Sequence, residues 1–264
     1  MDSAAVDRAG VALVTGAARG IGAATTRRLA SAGWRVVAVD IGDTPPAAPH
    51  PLGTREQLST VAAEFPGAVL DVVADVRDVE ALRAAVATAE AEFGGLDAAV
   101  ACAAVIAGGT PLWETSDTEW SALFDTGVTG VANLARAAVP ALLRSPRGRF
   151  VALASAAAHH GLWHLAGYNA AKHAVVGLIK GLAADLRGTG VCATAVSPGS
   201  TRTDLLTETA RLYDLESMEE FARHQLHERL LDPDEIAAVV AFLCSTESSA
   251  ITGSVVHADG GFQP

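Results

Sequence analysis

The sequence has few cysteines, and this shortage argues against a protein held together by disulfides or structural metal. Its 264 residues include Cys102, Cys192 and Cys244, which are odd in number and isolated along the chain. No pair has the spacing of a zinc knuckle, and no even set suggests a disulfide framework. A buried, reduced thiol is therefore expected at each position.

Basic residues and long apolar runs are also scarce. The 19 lysine and arginine residues are outnumbered by 30 acidic ones, for a formal net charge of −11. Nucleic acids and anionic membranes require a basic face, so neither is expected as a partner. No apolar run approaches the ~18 residues of a membrane span, and the opening MDSAAVDRAG lacks the layout of a signal peptide. We therefore expect a cytoplasmic protein.

The chain is rich in small and branched aliphatic residues, which fall into alternating patterns. Half of the residues are hydrophobic and 5% are aromatic, which is typical of parallel strands covered by helices. Short apolar runs predict strands, and longer periodic segments predict helices. The predicted strands are 11–15, 35–40, 69–74, 96–101, 149–154, 191–196 and 254–257. The predicted helices are 20–32, 78–93, 117–143, 166–186 and 232–244.

This alternation predicts the fold class. Strands that alternate with helices form a parallel sheet with right-handed crossovers. We expect an α/β protein with a doubly wound, Rossmann-type sheet of about seven strands in a three-layer α/β/α arrangement. No change of composition suggests a second domain, so residues 1–264 are expected to form one.

Two segments interrupt the alternation, and we name them the insertion, residues 42–66, and the lid segment, residues 203–229. The insertion begins with GDTPPAAPHPLG, whose four prolines exclude regular structure. A helix is expected from Thr54, because T-R-E-Q has capping-box spacing. The lid segment lies beyond a predicted strand, where ligands bind in such sheets. Both a mobile lid and plain surface helices are compatible with its pattern.

A glycine-rich turn joins the first predicted strand to the first predicted helix. ALVTGAARGIGAA places Gly16, Gly20 and Gly22 at this junction. Glycine lets the backbone turn tightly and approach a pyrophosphate, while the helix N-terminus supplies amide donors. Glycine also serves ordinary turns, but a turn at the first strand–helix junction of an α/β chain indicates dinucleotide binding.

Asp40 ends the second predicted strand, at the distance from the glycines where an acid contacts the ribose hydroxyls of NAD. Its charge would repel the 2′-phosphate of NADP, and the following Ile41 offers no cation for that phosphate. The pattern therefore predicts NAD as the cofactor. A turn residue or helix cap is the alternative interpretation of Asp40.

The stretch GYNAAKHAV contains Tyr168 and Lys172, which lie four residues apart. On a helix these positions share one face, so the lysine charge is expected to lie near the phenol. A nearby cation favours the phenolate and lowers the tyrosine pKa, which turns tyrosine into a usable general base or acid. A core tyrosine beside a surface lysine is the alternative.

These motifs resemble those of the short-chain dehydrogenase/reductase family, classical type, over nearly the whole chain. The family's T-G-x-x-x-G-x-G run is matched by residues 15–22, and its Y-x-x-x-K run by 168–172. A serine upstream of the tyrosine, Ser155, stands where the family keeps its catalytic serine. Three further runs match, namely D-V at 75–76, SPGSTRT at 197–203 and A-D-G-G at 258–261.

The resemblance implies roles for individual residues. Tyr168 is the implied general base, Ser155 hydrogen-bonds the substrate oxygen, and Lys172 also binds the nicotinamide ribose. A homotetramer is implied as well. The implied cofactor-binding residues are Gly16, Arg19, Gly20, Ile21, Gly22, Asp40, Asp75, Val76, Tyr168, Lys172, Pro198, Gly199, Thr201 and Thr203.

Two family motifs are altered in this chain. The N-A-G run that supports the central sheet reads Cys102-Ala103-Ala104, which we interpret as a change of packing. Gly127 stands where the family commonly has an asparagine that helps hold a water of the proton relay. This second change puts the relay in doubt, but not the hydride transfer.

Within the family, the chain is most similar to the mycofactocin-associated branch. The similarity lies in VVAVD with the proline-bearing insertion, IAGGTPLWET, ASAAAHHGL, SPGSTRTDLL and SVVHADGGF. Membership would imply NAD that is held too tightly to exchange and that passes its electrons to the redox peptide mycofactocin. The insertion would then cover the adenosine end of the cofactor.

Histidines suggest two further candidate sites. His160 and Trp163 lie between Ser155 and Tyr168, so they either line the substrate pocket or belong to a surface loop; the neighbouring His159 and His164 share this ambiguity. His224 and His227 have a spacing compatible with metal binding, but no further ligand is apparent and a solvated helix face is favoured. No metal is expected.

The sequence thus predicts an NAD-dependent oxidoreductase that interconverts a secondary alcohol and a ketone. The scarcity of cationic residues near the predicted pocket suggests an apolar alcohol. The alternative is a nucleotide-sensing regulatory protein on the same fold, since a fold does not determine a function. The replacement at Gly127 supports this alternative, whereas the intact Ser155, Tyr168 and Lys172 oppose it.

Overall fold

A computed structural model describes residues 9–264. Residues 1–8 lie outside the described part. They include most of the opening stretch MDSAAVDRAG, in which no signal-peptide pattern was found. The strands are β1 Val11–Thr15, β2 Arg35–Asp40, β3 Val69–Val73, β4 Ala98–Ala101, β5 Arg149–Leu153, β6 Cys192–Pro198 and β7 Val255–Ala258. They form one sheet of order 3-2-1-4-5-6-7, in which every pair is parallel.

Helices cover both faces of this sheet. They are α1 Gly20–Ser31, α2 Arg55–Ala63, α3 Val79–Phe93, α4 Asp117–Phe124, α5 Gly130–Leu142, α6 Ala166–Asp185, α7 Asp204–Leu212 and α8 Pro233–Cys244. Apolar residues of α3, α5 and α6 pack on one face, and those of α1, α2 and α8 pack on the other. The doubly wound, three-layer α/β fold predicted from the sequence is confirmed.

One predicted helix is wrong. The apolar pattern over residues 117–143 predicts a continuous helix, but the structure contains α4 and α5 joined by a π-helical turn, Asp125–Thr129. A π-helical turn inserts one residue without ending the helical hydrogen bonding, so apolar periodicity does not reveal it. Gly127 lies in the middle of this turn and is buried.

The two interrupting segments flank the sheet edge where the strands end. Residues 42–53 of the insertion contain no helix or strand. Thr54 then caps α2 with the predicted capping box, in which its side chain and that of Gln57 bind each other's backbone amides. The lid segment contains α7 and a 3₁₀ helix, Met218–His224, so it is largely helical.

The parallel strands all end at the same edge of the sheet. Ligand sites of open parallel sheets lie at this carboxyl edge. The glycine turn follows β1, Asp40 ends β2, Ser155 follows β5, and the SPGSTRT loop continues from β6. In residues 9–264 no helix is both long and apolar enough to cross a bilayer.

Candidate active site

The glycine turn after β1 is packed so closely that two of its glycines cannot be replaced freely. Gly16 has φ of +67°, and a Cβ atom there would lie 2.8 Å from the backbone nitrogen of Ala103. A Cβ atom at Gly22 would lie 2.0 Å from the carbonyl oxygen of Gly16. The backbone can therefore follow this path only with glycine at both positions.

Two adjoining cavities open at the carboxyl edge of the sheet. The first, of about 180 Å³, is lined by the glycine turn, the insertion, Asp40, and the residues that follow β3 and β4. The second, of about 570 Å³, is lined by Ser155, Tyr168, Lys172, the loop after β6 and the lid segment. The residues lining both are Ile21, Cys102, Ala104, Thr203 and Leu205. A molecule that spans both cavities would thus contact the glycine turn and Tyr168 together.

Asp40 both lines the first cavity and holds the glycine turn. One carboxylate oxygen accepts a hydrogen bond from the backbone amide of Ala18 at 2.9 Å, and the other accepts from the amide of Ile41 at 2.8 Å. Burial raises the pKa of Asp40, while these two hydrogen bonds and the charge of Arg19 oppose the rise. Asp40 therefore has two roles. It binds backbone amides of neighbouring turns, which the sequence offered only as an alternative, and it also faces the first cavity.

The predicted pair Asp75–Val76 also lies against the first cavity. Arg77 binds the Asp75 carboxylate, with a closest N–O distance of 2.6 Å. Burial alone would raise the pKa of Asp75, but the hydrogen bonds and charge of Arg77 outweigh it and the pKa is lowered. Val76 is buried against the position of Gly130 at the start of α5.

Ser155, Tyr168 and Lys172 meet at one wall of the second cavity. Ser155 follows β5, and its hydroxyl accepts a hydrogen bond from the backbone amide of Ala157 at 3.1 Å. Tyr168 and Lys172 lie one turn apart on α6 and are both buried. The ammonium nitrogen of Lys172 lies 5.7 Å from the centre of the Tyr168 ring and donates to the carbonyl of Leu153 at 2.9 Å.

Burial is the main cause of the pKa shifts of Tyr168 and Lys172. It raises the pKa of Tyr168 to about 12, against the effect of a hydrogen bond with Ser155. It also lowers the pKa of Lys172 to about 8. The lowering of the tyrosine pKa that was expected from the Lys172 charge is absent in the protein without nucleotide, because the desolvated site disfavours both charged forms. The lowering expected with NAD bound stays a prediction.

The loop after β6 joins the two cavities. Pro198, Gly199, Thr201 and Thr203 all line the second cavity. Gly199 is enclosed, since a Cβ atom there would lie 2.4 Å from the backbone oxygen of Asp259. The Thr203 hydroxyl caps α7 by accepting from the amide of Leu206 at 3.3 Å.

Only one of the two predicted pocket residues lines a cavity. Trp163 lines the second cavity and stacks near Tyr213, whose hydroxyl donates to the Trp163 carbonyl at 2.5 Å. His160 is not among the lining residues; its ring packs against Phe262. Of the two interpretations that the sequence left open for His160, the structure thus favours a loop residue outside the cavity lining, because position along a loop does not determine what a side chain contacts.

Three other histidines singled out in the sequence, His159, His164 and His224, make hydrogen bonds or ring contacts. The Nε2 atom of His159 lies 2.9 Å from the Ser197 hydroxyl, and His164 stacks on Trp163. His224 packs between aromatic rings and lines the second cavity. Among residues 9–264 no group of three or more His, Cys, Asp or Glu side chains is arranged to bind a metal.

Arg19 and His50 have roles that sequence reasoning did not assign. The Arg19 guanidinium binds Asp204, in the lid segment, at 2.9 Å and the carbonyl of Pro51, in the insertion, at 2.7 Å. The buried His50 ring contacts the Pro51 carbonyl at 2.9 Å and accepts from the amide of Ile106 at 3.1 Å. The only available signal for His50 was a histidine inside a proline-rich run.

The cysteines are all free, as expected from their isolation. Cys192 and Cys244 are buried, whereas Cys102 is half-buried and lines both cavities. Desolvation raises the pKa of the Cys102 thiol to about 12, so it stays protonated at neutral pH. The backbone amides of Cys102 and Ala103 face the Thr15 hydroxyl, which also donates to the carbonyl of Val100.

The family of this chain follows from its match to known proteins. The family profile described as Enoyl-(Acyl carrier protein) reductase matches residues 16–263. The short-chain reductase protein NovJ of Streptomyces niveus is 37% identical over 262 residues, which cover 97% of this chain and 95% of NovJ. The (-)-trans-carveol dehydrogenase of Rhodococcus erythropolis is 32% identical, over 95% of this chain and 96% of that enzyme.

Solved structures agree with this assignment. Carveol dehydrogenase from Mycobacterium avium, in complex with NAD, superposes with a TM-score of 0.91 at 31% identity, covering 97% of this chain and 98% of that one. Fold and site thus define an oxidoreductase built on a Rossmann-type sheet. The chain belongs to the short-chain dehydrogenase/reductase family.

Two glycines of the site should respond oppositely to alanine. A Cβ atom at Gly127 would meet no atom within 4 Å, so Gly127→Ala should raise the free energy of unfolding by about 0.5–1 kcal/mol, because glycine loses more backbone entropy in a helix. Gly22→Ala forces a clash and should lower it by about 1–3 kcal/mol. Urea denaturation measures both; destabilisation by Gly127→Ala would contradict the open packing of the π-helical turn.

Proposed function

We propose that this protein is an NAD-dependent oxidoreductase that interconverts a secondary alcohol and a ketone. The observation that carries the proposal is the meeting of Ser155, Tyr168 and Lys172 at the wall of a cavity that adjoins the glycine turn. Related proteins support it by their names, which include a carveol dehydrogenase and an A-factor type γ-butyrolactone 1′-reductase. Neighbouring structures hold NAD or NADH.

The residues around the two cavities fit a dinucleotide. Gly16, Gly20 and Gly22 of the turn line the first cavity with backbone alone, and a pyrophosphate would lie against them there. Asp40, Asp75 and Val76 would hold the adenosine end, and the loop after β6 would hold the nicotinamide end. Lys172 would bind the nicotinamide ribose. NAD, when bound, supplies the hydride acceptor or donor.

The protein side chains would orient the substrate and move its proton. Ser155 would hydrogen-bond the substrate oxygen and hold the reacting carbon facing the cofactor cavity. Without nucleotide the phenol of Tyr168 has a pKa of about 12 and is therefore protonated at neutral pH. In this form it is suited to donate its proton to a ketone oxygen. Taking a proton from an alcohol requires a lower pKa, which the charge of Lys172 and a positive nicotinamide nearby would both favour.

The proton relay beyond Lys172 is where this chain departs from its family. Gly127 offers no side-chain amide, so only backbone carbonyls of the π-helical turn remain to hold a relay water. This departure favours a second candidate function, a nucleotide-sensing protein with little or no catalysis. Turnover of a secondary alcohol distinguishes the two functions.

Replacement of Tyr168 by phenylalanine tests the catalytic function. We expect Tyr168→Phe to reduce the rate of alcohol oxidation at least ~10²-fold, since the proton acceptor is lost, while mass spectrometry still detects bound nucleotide.

The rate of the unmutated enzyme should rise with pH as Tyr168 loses its proton. Lys172→Met should shift that rise to higher pH, because the cation that stabilises the phenolate is gone. An unmoved pH profile would limit Lys172 to binding, and undiminished activity of Tyr168→Phe would refute the mechanism.

Cofactor preference should depend on Asp40. Because Asp40 also binds two backbone amides, Asp40→Asn with Ile41→Arg is the suitable change: it removes the charge, keeps an acceptor and adds a cation for a 2′-phosphate. The nucleotide-free double variant should shift its preference toward NADP, as measured by calorimetric titration with both nucleotides. Equal affinities of the unmutated protein for NAD and NADP would refute the role of Asp40.

We further propose that NAD is held tightly and is reoxidised in place by mycofactocin. The supporting observation is that Arg19 ties the insertion to the lid segment beside the first cavity, while His50 anchors the insertion to the chain after β4. Escape of the cofactor past these contacts requires them to open.

A homotetrameric assembly, a cytoplasmic location and a single domain over residues 1–264 remain predictions from family and composition.

Removal of the Arg19 contacts should release the cofactor faster. The ion pair is partly exposed and contributes about 1 kcal/mol or less, but the bond from the guanidinium to the Pro51 carbonyl adds to it. We expect Arg19→Gln to increase the exchange rate of bound NAD with isotopically labelled NAD roughly tenfold. Arg83→Gln, which removes the same charge from the remote α3, is the control. Equal exchange in both variants would contradict the proposed retention.

A further inference from the structure

The charged side chains that line the second cavity are opposite in sign to the net charge of the protein. The chain carries a net charge of −11. Yet among residues 9–264 no aspartate or glutamate lines this cavity, and its ionisable basic residues are Lys172, Arg223 and His224. Cationic residues are therefore not scarce near the pocket, contrary to the expectation from the sequence. The lid segment brings Arg223 and His224 to the cavity.

Arg223 differs from the other arginines of its neighbourhood. Arg202, Arg211 and Arg229 are paired with Glu219, Glu208 and Glu235, respectively. Arg223 makes no hydrogen bond or ion pair with any residue in the described part of the chain, and it is exposed. Its five N–H donors are thus available to a ligand that enters the cavity.

The remaining walls near the lid segment are apolar. They consist of leucine and aromatic side chains, so they favour a hydrocarbon body. The lining residues of this kind include Leu162, Leu206, Tyr213, Leu215, Phe221 and Phe262. An apolar lining with Tyr168 on α6 and a free guanidinium on the 3₁₀ helix Met218–His224 matches an amphipathic molecule.

We propose that the substrate is a secondary alcohol, or its ketone, that carries a carboxylate at the far end of an apolar chain or ring, and that Arg223 binds this carboxylate. The inference rests on the proposed function, since it assigns the reacting carbon to Ser155 and Tyr168. A planar guanidinium binds a carboxylate through two parallel hydrogen bonds. One unpaired guanidinium balances one carboxylate, whereas a phosphate monoester carries up to about two charges at neutral pH.

Paired substrates test this assignment. We would measure kcat/KM of the NAD-loaded protein for a homologous series of straight-chain secondary alcohols that end in a carboxylate, and for the same series as methyl esters. The unmutated protein should prefer the acids. Arg223→Gln should lower kcat/KM for the acids roughly tenfold, mainly through KM, and change it by less than about twofold for the esters. Arg223→Lys should retain part of the preference, since it keeps the charge but not the paired hydrogen bonds.

Arg211→Gln is the matched control. Arg211 lies in the same lid segment and is exposed, but it is paired with Glu208 and does not line the cavity. This variant should treat acids and esters as the unmutated protein does. An equal loss in Arg223→Gln and Arg211→Gln would reduce the effect to long-range charge and overturn the site.

The two proposals fail in different ways. If alcohols are oxidised but acids and esters are used equally, and Arg223→Gln changes neither, the carboxylate site is refuted and the proposed function stands. If neither series is oxidised, the proposed function fails. Calorimetric titration of the unmutated protein and Arg223→Gln with the acids then decides the site separately: weaker binding to the variant supports it, and equal or absent binding refutes it.

Discussion

The parallel alignment of all seven strands is the constraint on which the site depends. Because each strand ends at the same edge of the sheet, residues far apart in sequence become neighbours there. Gly16, Asp40, Ser155 and Pro198 all follow or end strands, and all line one of two adjoining cavities. Helices cover both faces of the sheet and leave its carboxyl edge to the connecting loops. The insertion and the lid segment, both at this edge, therefore shape the cavities without disturbing the core.

Burial both positions Tyr168 and Lys172 and changes their acidity. The same packing that holds Tyr168 and Lys172 one turn apart on α6 also removes water from both side chains. The pKa of Tyr168 consequently rises to about 12 and that of Lys172 falls to about 8, so the neutral form of each side chain is favoured. A ligand that brings positive charge would shift this balance toward the phenolate.

The lid segment lines both cavities. At its beginning, Asp204 binds Arg19 of the glycine turn, which in turn holds the insertion. Further along, Arg223 lines the second cavity, and its side chain has no partner in residues 9–264. One segment therefore contributes residues to both cavities. Its polar sequence, which is compatible with an ordinary surface helix, gave no indication of this division.

Local patterns were enough to predict the sheet, the glycine turn and the pairing of Tyr168 with Lys172, because strand periodicity, the tight turn and the spacing of a helix face are short-range properties. The place of Ser155 beside them followed from the family resemblance. Tertiary packing decided the rest. It split the helix predicted over residues 117–143, since one inserted residue leaves the apolar pattern intact. It also packed His160 against Phe262 and brought Arg223 to the second cavity. Side-chain direction in loops and the desolvation that sets a pKa both depend on segments distant in the chain, which no local pattern contains.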